Sequence, residues 1–457
     1  MSGGFRVRLG DTRFALTSPY RLLVWAAVFG VIRHLLAPQA PIYRDLPARL
    51  IAAWRTRPAR AAVGAFVGTR PAILFVGYMA VFMIGFPTVA APWRIAENEF
   101  VNLQARGDAG WYLGVAIDGY ADDPGRNATD QQNIVFFPAF PILMRAAGRL
   151  LGGASTAYLL GGTLISLGAF LWALVYLFRF ARDVLADGDQ AEVAMWLVAA
   201  YPFAIFFSAV YSESLYLLGV IGAFYHFRRR EFVRAGAWGL LVGLDRAPGC
   251  FLSVPLAFMA IAPWLPAWLA GGSQTGETME RNLAARRAGL GGLVPAIASA
   301  AMPGIGMLLF SAFAWQLTGH PLAWAEGQVA WGRHYSGLGF LVTQRADWLW
   351  HGGLYGYSSQ VPGDLMNALG ALFVLATAWP VARRLGTAYA VFILVTMLPP
   401  LAAGGFLGTG RFSAVMFPSF VWLASALPAR HRAAWIGSFM AVQAFCAALF
   451  YTWRPLY

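Results

Sequence analysis

Long apolar runs separated by short polar stretches make up most of the 457-residue chain. A run of about 20 apolar residues is long enough to cross the hydrocarbon core of a membrane as a helix. The pattern predicts an all-α polytopic membrane protein with about eleven transmembrane helices. The expected spans are residues 71–91, 156–178, 192–210, 215–227, 235–268 (two short helices), 292–317, 364–382, 387–403, 411–427 and 433–452.

Two stretches between these runs are long enough to be functional loops. The first external loop, about residues 92–155, contains short apolar pieces that predict amphipathic helices lying at the membrane surface. A true span around residues 133–145 is the alternative. The second external loop, about residues 318–363, is rich in Trp, Tyr, His and Gly. Within 235–268, a Pro-Gly pair predicts a break between two short helices, with Arg246 at the junction.

The first 69 residues differ from the rest, since they carry ten arginines and two acids. By the positive-inside rule this basic segment is expected on the cytoplasmic side. Residues 20–37 are apolar but contain Arg21, Arg33 and His34, which predicts a helix lying in the interface. The sequence therefore divides into an N-terminal segment, residues 1–69, and a transmembrane domain, residues 70–457.

Composition agrees with this assignment, because 59% of the residues are hydrophobic and only 12% are charged. A soluble domain of this size would carry about twice that charge. The net charge of +13 would indicate a nucleic-acid partner in a soluble protein. Here the arginines lie mainly between apolar runs, as in the cytoplasmic loops of membrane proteins. We therefore expect contact with membrane lipids and no nucleic-acid partner.

The most distinctive polar stretch is residues 106–120, which places Asp108 between two glycines at the start of an amphipathic run. On a helix, Asp108, Trp111 and Tyr112 would share one face. A carboxylate beside an aromatic pair at a membrane surface could bind a sugar and accept a proton from its hydroxyl. The alternative is that Asp108 only caps the start of the helix.

Ionisable groups inside membrane spans are costly and usually mark function. The main cases are Glu213, Asp245, Arg246 and Arg411. Arg246, at the Pro-Gly break, could grip phosphate oxygens with two parallel hydrogen bonds. Arg411 follows Gly-Thr-Gly at a predicted helix start, which suits an anion. Structural ion pairs and interfacial anchoring are the alternatives.

The second external loop adds polar and aromatic side chains that could cover a site and exclude water, although an aromatic interface belt is the alternative. Its candidates are Glu326, Gln328, Trp331, Arg333 and His334. The six histidines are scattered, and the two cysteines have no metal-ligand spacing. No metal or other cofactor is expected. A Walker-type phosphate loop is also absent, so any reaction would need an activated donor.

Six short sequence motifs occur along the chain in the same order as in a known protein family. They are Gly107-Asp-Ala-Gly-Trp-Tyr-Leu113, Asn133-Ile-Val-Phe-Phe-Pro-Ala-Phe-Pro141, Tyr211-Ser-Glu-Ser-Leu215, Arg246-Ala-Pro-Gly249, Thr318-Gly-His-Pro-Leu-Ala323 and Gly410-Arg-Phe412. With these motifs, residues 70–430 resemble the PIG-V-type (GPI mannosyltransferase 2-like) group of GT-C glycosyltransferases. The chain departs from the family at Gly107, where Trp is frequent, and at Asp245, where a neutral residue is common.

The resemblance implies a GT-C-type helical bundle with a catalytic domain over residues 70–457. It implies an inverting transferase that moves a sugar, usually mannose, from a polyprenyl-phosphate (dolichyl-phosphate-type) donor to a lipid or glycan acceptor. Asp108 would be the general base, and three arginines would hold the donor phosphate: Arg246, Arg411 and Arg333. The expected substrate-binding residues are Trp111, Tyr112, Asn133, Glu213, Tyr211 and His334.

The expected location is the inner (plasma) membrane, with the active site on the periplasmic or extracytoplasmic side. Two alternatives from other classes stay open at this point. A transporter or flippase for a lipid-linked anion would use Arg246 and the broken helices as its binding site. A non-catalytic membrane scaffold would leave the outer carboxylates and arginines without a purpose.

Overall fold

The computed structural model describes residues 5–9, 12–16, 28, 31, 32, 35, 52, 54–88, 92–121, 130–266, 271 and 276–456. The chain forms two compact units, residues 1–61 and 62–457. In the first unit, strands β1 (Phe5–Leu9) and β2 (Thr12–Leu16) pair antiparallel, with Phe5 opposite Leu16. A search for long apolar runs does not detect such short strands, so this hairpin was not predicted. The interfacial helix expected at 20–37 lies almost entirely outside the described residues.

The described residues of the second unit form helices and connections without strands, which confirms the all-α fold class of the membrane domain. The helices, numbered along the chain, are α1 (Arg57–Met83), α2 (Glu99–Asn102), α3 (Ala109–Ile117), α4 (Ala139–Leu150), α5 (Ser155–Leu185), α6 (Gly188–Ala200), α7 (Glu213–Arg228), α8 (Phe232–Asp245), α9 (Ser253–Ile261), α10 (Gly276–Thr318, kinked at Gly289), α11 (Ala323–Glu326), α12 (Gly337–Gln360, kinked at Gly353), α13 (Pro362–Arg384), α14 (Thr387–Gly404), α15 (Thr409–Ala414), α16 (Phe417–Ala426) and α17 (Ala429–Tyr451).

Seven stretches in the described part of the chain are long and apolar enough to cross a membrane. They are α1, α5, residues 247–264, residues 289–318 of α10, α13, α14 and α17. The expected count of about eleven is not confirmed, because α6, α7, α8 and α16 are apolar but have 13, 16, 14 and 10 residues. The chain is a multi-pass membrane protein whose central helices are shorter than full spans.

The first long helix begins at Arg57, well before the expected residue 71, so the predicted boundary after residue 69 falls inside α1. Arg70 lies within this helix and is 1% exposed. Its guanidinium donates hydrogen bonds to the carbonyl oxygens of Ala199 and Ala204, both at 2.6 Å, and to Ser208 Oγ at 3.1 Å. Because α6 ends at Ala200, the Ala199 carbonyl has no partner within the helix, and Arg70 helps to satisfy it, while Ala204 lies in the turn that follows.

The predicted break inside residues 235–268 is confirmed. Arg246 has extended backbone angles between α8 and a 3₁₀ turn over Ala247–Leu252, and α9 follows. Pro248 cannot donate to a helical hydrogen bond. A Cβ atom at Gly249 would lie 2.0 Å from the Val242 carbonyl oxygen, so only glycine allows the turn to pack against α8.

Helix α7 is the centre of the bundle. Nearly all of its side chains are buried, as expected for a helix that is apolar on every side. It packs against α5 and α8. Glu213 stands at its first position and His226 near its last. Its 16 residues separate these two ends by about 24 Å at 1.5 Å per residue.

The first external loop contains the two predicted short helices, α3 and α4, and also the four-residue helix α2. Helix α4 has 12 residues, or about 18 Å, which is too short for a hydrocarbon core of about 30 Å. The alternative of a true span at this point is therefore wrong. The helix is amphipathic: Phe140 and Met144 are fully buried, while Ile142 is 61% exposed.

Candidate active site

Asp108 stands at the start of α3, after Gly107, whose φ of +50° favours glycine. Its side chain makes no capping hydrogen bond to the helix, so the interpretation of Asp108 as only a cap is wrong. Its Oδ2 atom instead accepts a hydrogen bond from Arg411 Nη1 at 2.6 Å. The Asp108 backbone N–H donates to the Tyr211 hydroxyl at 2.8 Å. The carboxylate is thus positioned by residues far away in the sequence.

A second ion pair continues from Arg411. Arg246 Nη1 donates to Glu213 Oε1 at 2.8 Å, and the same oxygen lies 3.9 Å from Arg411 Nε. The Glu213 side chain is 1% exposed. The charged groups therefore form a continuous series in the order Asp108, Arg411, Glu213, Arg246. Removing one member of such a buried pair leaves an uncompensated charge, which typically costs about 3–5 kcal/mol.

Close packing around Gly410 sets the position of Arg411. A Cβ atom at Gly410 would lie 2.2 Å from the Phe203 ring, so the helix start approaches that ring only because residue 410 is glycine. The Gly410 N–H donates to Asn367 Oδ1 at 2.7 Å, and Thr409 Oγ1 donates to the Asn367 carbonyl oxygen at 3.1 Å. Helix α13, which carries Asn367, therefore fixes the short helix that presents Arg411.

Arg333 is a third guanidinium at the same place. Its Nη2 donates to the Leu407 carbonyl oxygen at 3.0 Å, and it makes no ion pair with any described residue. The guanidinium carbons of Arg246 and Arg333 lie 4.9 and 5.5 Å from the centre of the Phe412 ring. Burial, followed by the positive charges of Arg411 and Arg246, lowers the pKa of Arg333 to about 10. An anion bound here would relieve that electrostatic cost.

The charged residues open on a cavity of about 670 Å³. Its polar side is formed by Asp108, Asp245, Arg246, Gln328, Arg333 and Arg411. The remaining wall is largely apolar and includes Phe136, Phe137, Phe251, Met307, Trp324, Trp331, Pro399, Pro400, Ala403 and Leu407. Apolar walls with a few convergent polar groups are the usual form of a site for a small molecule or a cofactor.

Half of the predicted site residues line this cavity: Asp108, Tyr112, Arg246, Arg333 and Arg411. The lining does not include Trp111, Asn133, Tyr211, Glu213 or His334. Glu213 and Tyr211 nevertheless touch the lining residues, since they bond to Arg246 and to the Asp108 backbone. The charged part of the site, with Glu213 included, thus comes together from five separate stretches of the sequence.

Three other residues predicted to bind the substrate also lie outside the cavity lining. Trp111 stacks on Phe136, with ring centres 5.9 Å apart and planes inclined by 10°, and its ring centre lies 5.3 Å from that of Trp331. Asn133 Nδ2 donates to the Gly119 carbonyl oxygen at 3.1 Å. His334 is exposed and lies outside the lining. Trp111 therefore supports Phe136 and Trp331, which are the rings that face the cavity.

Besides Asn367, sequence reasoning missed Arg106, which also positions the site. Arg106 is 1% exposed, and its guanidinium donates to the Tyr451 carbonyl oxygen at 2.8 Å and to the Asn102 carbonyl oxygen. It joins the chain just before Asp108 to the end of α17. Burial lowers the pKa of Arg106 to about 10, and the nearby Glu99 carboxylate opposes this. The sequence does show an arginine two positions before Asp108, but the pattern of apolar residues does not indicate that this side chain is buried.

Within the described ranges, no three His, Cys, Asp or Glu side chains are grouped so that they could hold a metal ion. Cys250 and Cys446 are free thiols. The expectation that the reaction uses no metal or other cofactor stays a prediction.

A helical membrane bundle with a series of carboxylates and arginines beside an apolar cavity defines a multi-pass membrane protein with an enzyme-like site. Residues 94–261 match the profile of the mannosyltransferase (PIG-V) family, which confirms the resemblance seen in the sequence. The match supports a membrane glycosyltransferase. It includes Asp108, Glu213 and Arg246, whereas Arg333 and Arg411 lie beyond it.

Comparison with curated proteins found no match. Among solved structures, the chain is similar to the oligosaccharyltransferase of Archaeoglobus fulgidus. Its complex with zinc and sulfate gives 15% identity and a TM-score of 0.39, with 84% of this chain and 53% of that chain covered. Its complex with an inhibitory peptide and a dolichol-phosphate gives 14% identity and a TM-score of 0.38, with 85% and 56% covered. The chain spans about half the length of these proteins.

Proposed function

We propose that this protein transfers mannose from a polyprenyl-phosphate donor to a hydroxyl group of a lipid or glycan acceptor, with inversion at the anomeric carbon. The observation that carries the proposal is the meeting of Asp108 with three guanidiniums at one side of an apolar cavity. A proton acceptor, a phosphate-binding group and a surface for a lipid chain are then adjacent.

Arg333 and Arg246 are the groups proposed to bind the donor phosphate. Arg333 has no carboxylate partner in the described part of the chain, and Arg246 lies against the same Phe412 ring. A guanidinium binds phosphate oxygens through two parallel hydrogen bonds. A phosphate between these side chains would also face Arg411, so negative charge that develops on the leaving group is stabilised by fixed cations.

The apolar wall suits the rest of the donor. Pro399, Pro400 and Leu407 lie on the same cavity as the arginines, which supports contact with the first isoprene units of a lipid chain. Phe136 and Trp331 also face the cavity, and their rings offer flat surfaces for a sugar. Tyr112 was predicted to bind the substrate, and its side chain lines the same cavity as Asp108.

Asp108 is proposed to be the general base. Its Oδ2 atom is held by Arg411, while Oδ1 makes no hydrogen bond to a described residue. The acceptor oxygen would attack the anomeric carbon as its proton passes to the Asp108 carboxylate. The bond between that carbon and the phosphate oxygen breaks, and its electron pair leaves with polyprenyl phosphate. Attack from the face opposite the phosphate inverts the anomeric centre.

The arrangement of arginines supports an active site on the extracytoplasmic side. Helix α7 begins with Glu213 at the cavity and ends at Arg228, which Arg229 and Arg230 follow. Helix α13 carries Asn367 beside Gly410 and ends with Arg383 and Arg384. The basic ends of both helices are thus opposite the cavity, and basic loops favour the cytoplasmic side.

The purified protein should be incubated with radiolabelled polyprenyl-phosphate mannose and a membrane lipid extract. Appearance of a labelled product lipid or glycan, together with release of polyprenyl phosphate, is expected. Movement of the intact donor between the two leaflets of a vesicle, without a new glycosidic bond, would instead select the flippase alternative. A panel of donors with other sugars tests whether mannose is the preferred one.

A further inference from the structure

A second cavity, of about 480 Å³, lies at the end of α7 that is opposite Glu213. Because α7 is about 24 Å long, this cavity is separate from the proposed reaction site. Residues from α5, from the end of α7 and from the start of α8 line it: Tyr176, Arg179, Tyr225, His226, Arg229, Glu231, Arg234, Ala237 and Trp238.

A hydrogen-bonded series organises the polar wall of this cavity. The Tyr176 hydroxyl lies 3.0 Å from His226 Nε2, and His226 Nδ1 lies 2.6 Å from Glu231 Oε2. Arg234 Nη1 donates to the same carboxylate at 2.9 Å. His226 is only 7% exposed, so the series begins in the core and ends at the cavity rim. Glu231 therefore fixes the position of Arg234 without cancelling all of the positive charge.

The lining has three arginines and a single carboxylate. Arg179 forms no ion pair among the residues that the structure describes. Arg229 lies 3.2 Å from Asp183, which is outside the lining, and 3.5 Å from Glu231, and its guanidinium carbon lies 5.3 Å from the centre of the Tyr225 ring. Without counting His226, the lining side chains carry a net positive charge, from three arginines and one carboxylate. An anion with several acceptor oxygens, such as a phosphate ester, matches this arrangement.

Its place in the fold indicates where such an anion would come from. The cavity lies at the ends of α5 and α7, next to Arg228 and Arg230, on the side that the positive-inside rule makes cytoplasmic. Aromatic rings of Tyr176, Tyr225 and Trp238 stand beside the arginines, as at a membrane interface. Basic pockets between membrane helices on this side are suited to anionic headgroups.

We propose that this cavity binds the phosphate-bearing headgroup of an anionic membrane lipid, on the membrane face opposite the reaction site. The phosphate would lie between Arg179 and Arg234, and the lipid chains would follow the outer surface of α5 into the bilayer. The proposal concerns binding and does not depend on the sugar-transfer reaction.

The test is a titration of the full-length protein in neutral detergent with phosphatidylglycerol, phosphatidylcholine or inorganic phosphate, read by the thermal unfolding midpoint. Phosphatidylglycerol should raise the midpoint saturably and the other two should not. The double variant R179Q/R234Q should need at least about tenfold more phosphatidylglycerol for the same shift. The matched control is R383Q/R384Q, which removes the same charge from exposed positions at the end of α13. It should behave as the wild type.

If R179Q/R234Q fails to fold, the single variant R179Q replaces it, since Arg179 takes part in no ion pair of the described residues. An unchanged titration in either variant would overturn the proposal. An equal loss of phosphatidylglycerol affinity in the control R383Q/R384Q would also overturn it, because lipid binding would then depend on the overall charge of the protein. A shift with inorganic phosphate but not with the lipid would reject the lipid as the ligand.

Discussion

Arg411 donates a hydrogen bond to the Asp108 carboxylate at 2.6 Å across 303 residues of sequence. The pair joins the first external loop to the short helix α15, and Arg411 also lies 3.9 Å from Glu213. One guanidinium thus fixes the position of the proposed base and links it to the carboxylate that holds Arg246. The arginines of the site therefore have two proposed roles: Arg411 positions the base, and Arg246 and Arg333 bind the phosphate.

The variant D108N should abolish sugar transfer while donor binding stays within about twofold of the wild type. An amide has nearly the shape of the carboxylate but does not accept the proton, and general-base catalysis typically contributes about 10²–10⁴-fold. Initial rates with saturating donor, together with a donor-binding titration, measure the two quantities. The control is D118N, which changes an exposed aspartate at the end of the same helix. Near-normal turnover in D108N would reject the base assignment.

The variant R411Q should lower kcat by about 100-fold, because Asp108 loses the partner that orients it. The double variant D108N/R411Q should be no slower than D108N alone, since both changes remove the same function. Residues that act as one unit are strongly non-additive in this way. Losses that multiply in the double variant would show that Arg411 acts independently of Asp108, for instance on the phosphate alone.

The variant R333Q should raise KM for the donor by about tenfold or more, with a smaller change in the acceptor KM. Arg333 makes no ion pair with the described residues, so its removal leaves no buried carboxylate without a partner. R149Q is the control, since Arg149 is exposed at the end of α4. Equal donor KM values in R333Q and the wild type would remove Arg333 from the phosphate site.

The same arginine predicts a dependence of donor affinity on pH. Burial and two neighbouring cations lower the pKa of Arg333 to about 10, so the group is protonated at neutral pH and loses its proton as the pH rises through that value. Donor affinity should be constant between about pH 7 and 9 and should fall as the pH approaches 10 and above. This fall should be absent from R333Q. A fall centred near pH 7 would assign the dependence to another group.

The variant G410A should lower both stability and activity. The added methyl group would lie 2.2 Å from the Phe203 ring, and forcing extra volume into a packed core typically costs about 1–3 kcal/mol. Helix α15 would move, and Arg411 with it. G437A is the matched control, because a Cβ atom there meets nothing within 4 Å and alanine favours the helix. Equal unfolding temperatures for the two variants would contradict this account of the packing.

The sequence alone predicted the helical fold class, the helix break at Arg246 and most of the charged residues that line the cavity. Each has a local signal: an apolar run, a Pro-Gly pair, or a charge where charges are costly. The same reasoning placed Trp111 against a substrate, although it packs behind Phe136. Spacing along a helix shows which side chains share a face, but it does not show what covers that face.

The sequence did not predict which side chains contact each other over long distances along the chain. Arg411 was expected at the phosphate, and nothing near Gly410 in the sequence indicates a partner 303 residues earlier. The first span was expected to start at residue 71, whereas the helix begins at Arg57 and includes Arg70. The buried position of Arg70 depends on the carbonyl oxygens of Ala199 in α6 and of Ala204 in the turn that follows, and these contacts are visible only in three dimensions.

Arg70 also limits the order in which the protein can assemble. Its three acceptors lie 129 to 138 residues further along the chain, so none of them has been synthesised when α1 leaves the ribosome. A lone guanidinium is poorly tolerated by lipid. The first helix must therefore remain beside the insertion machinery, or at the water boundary, until α6 and the turn after it arrive.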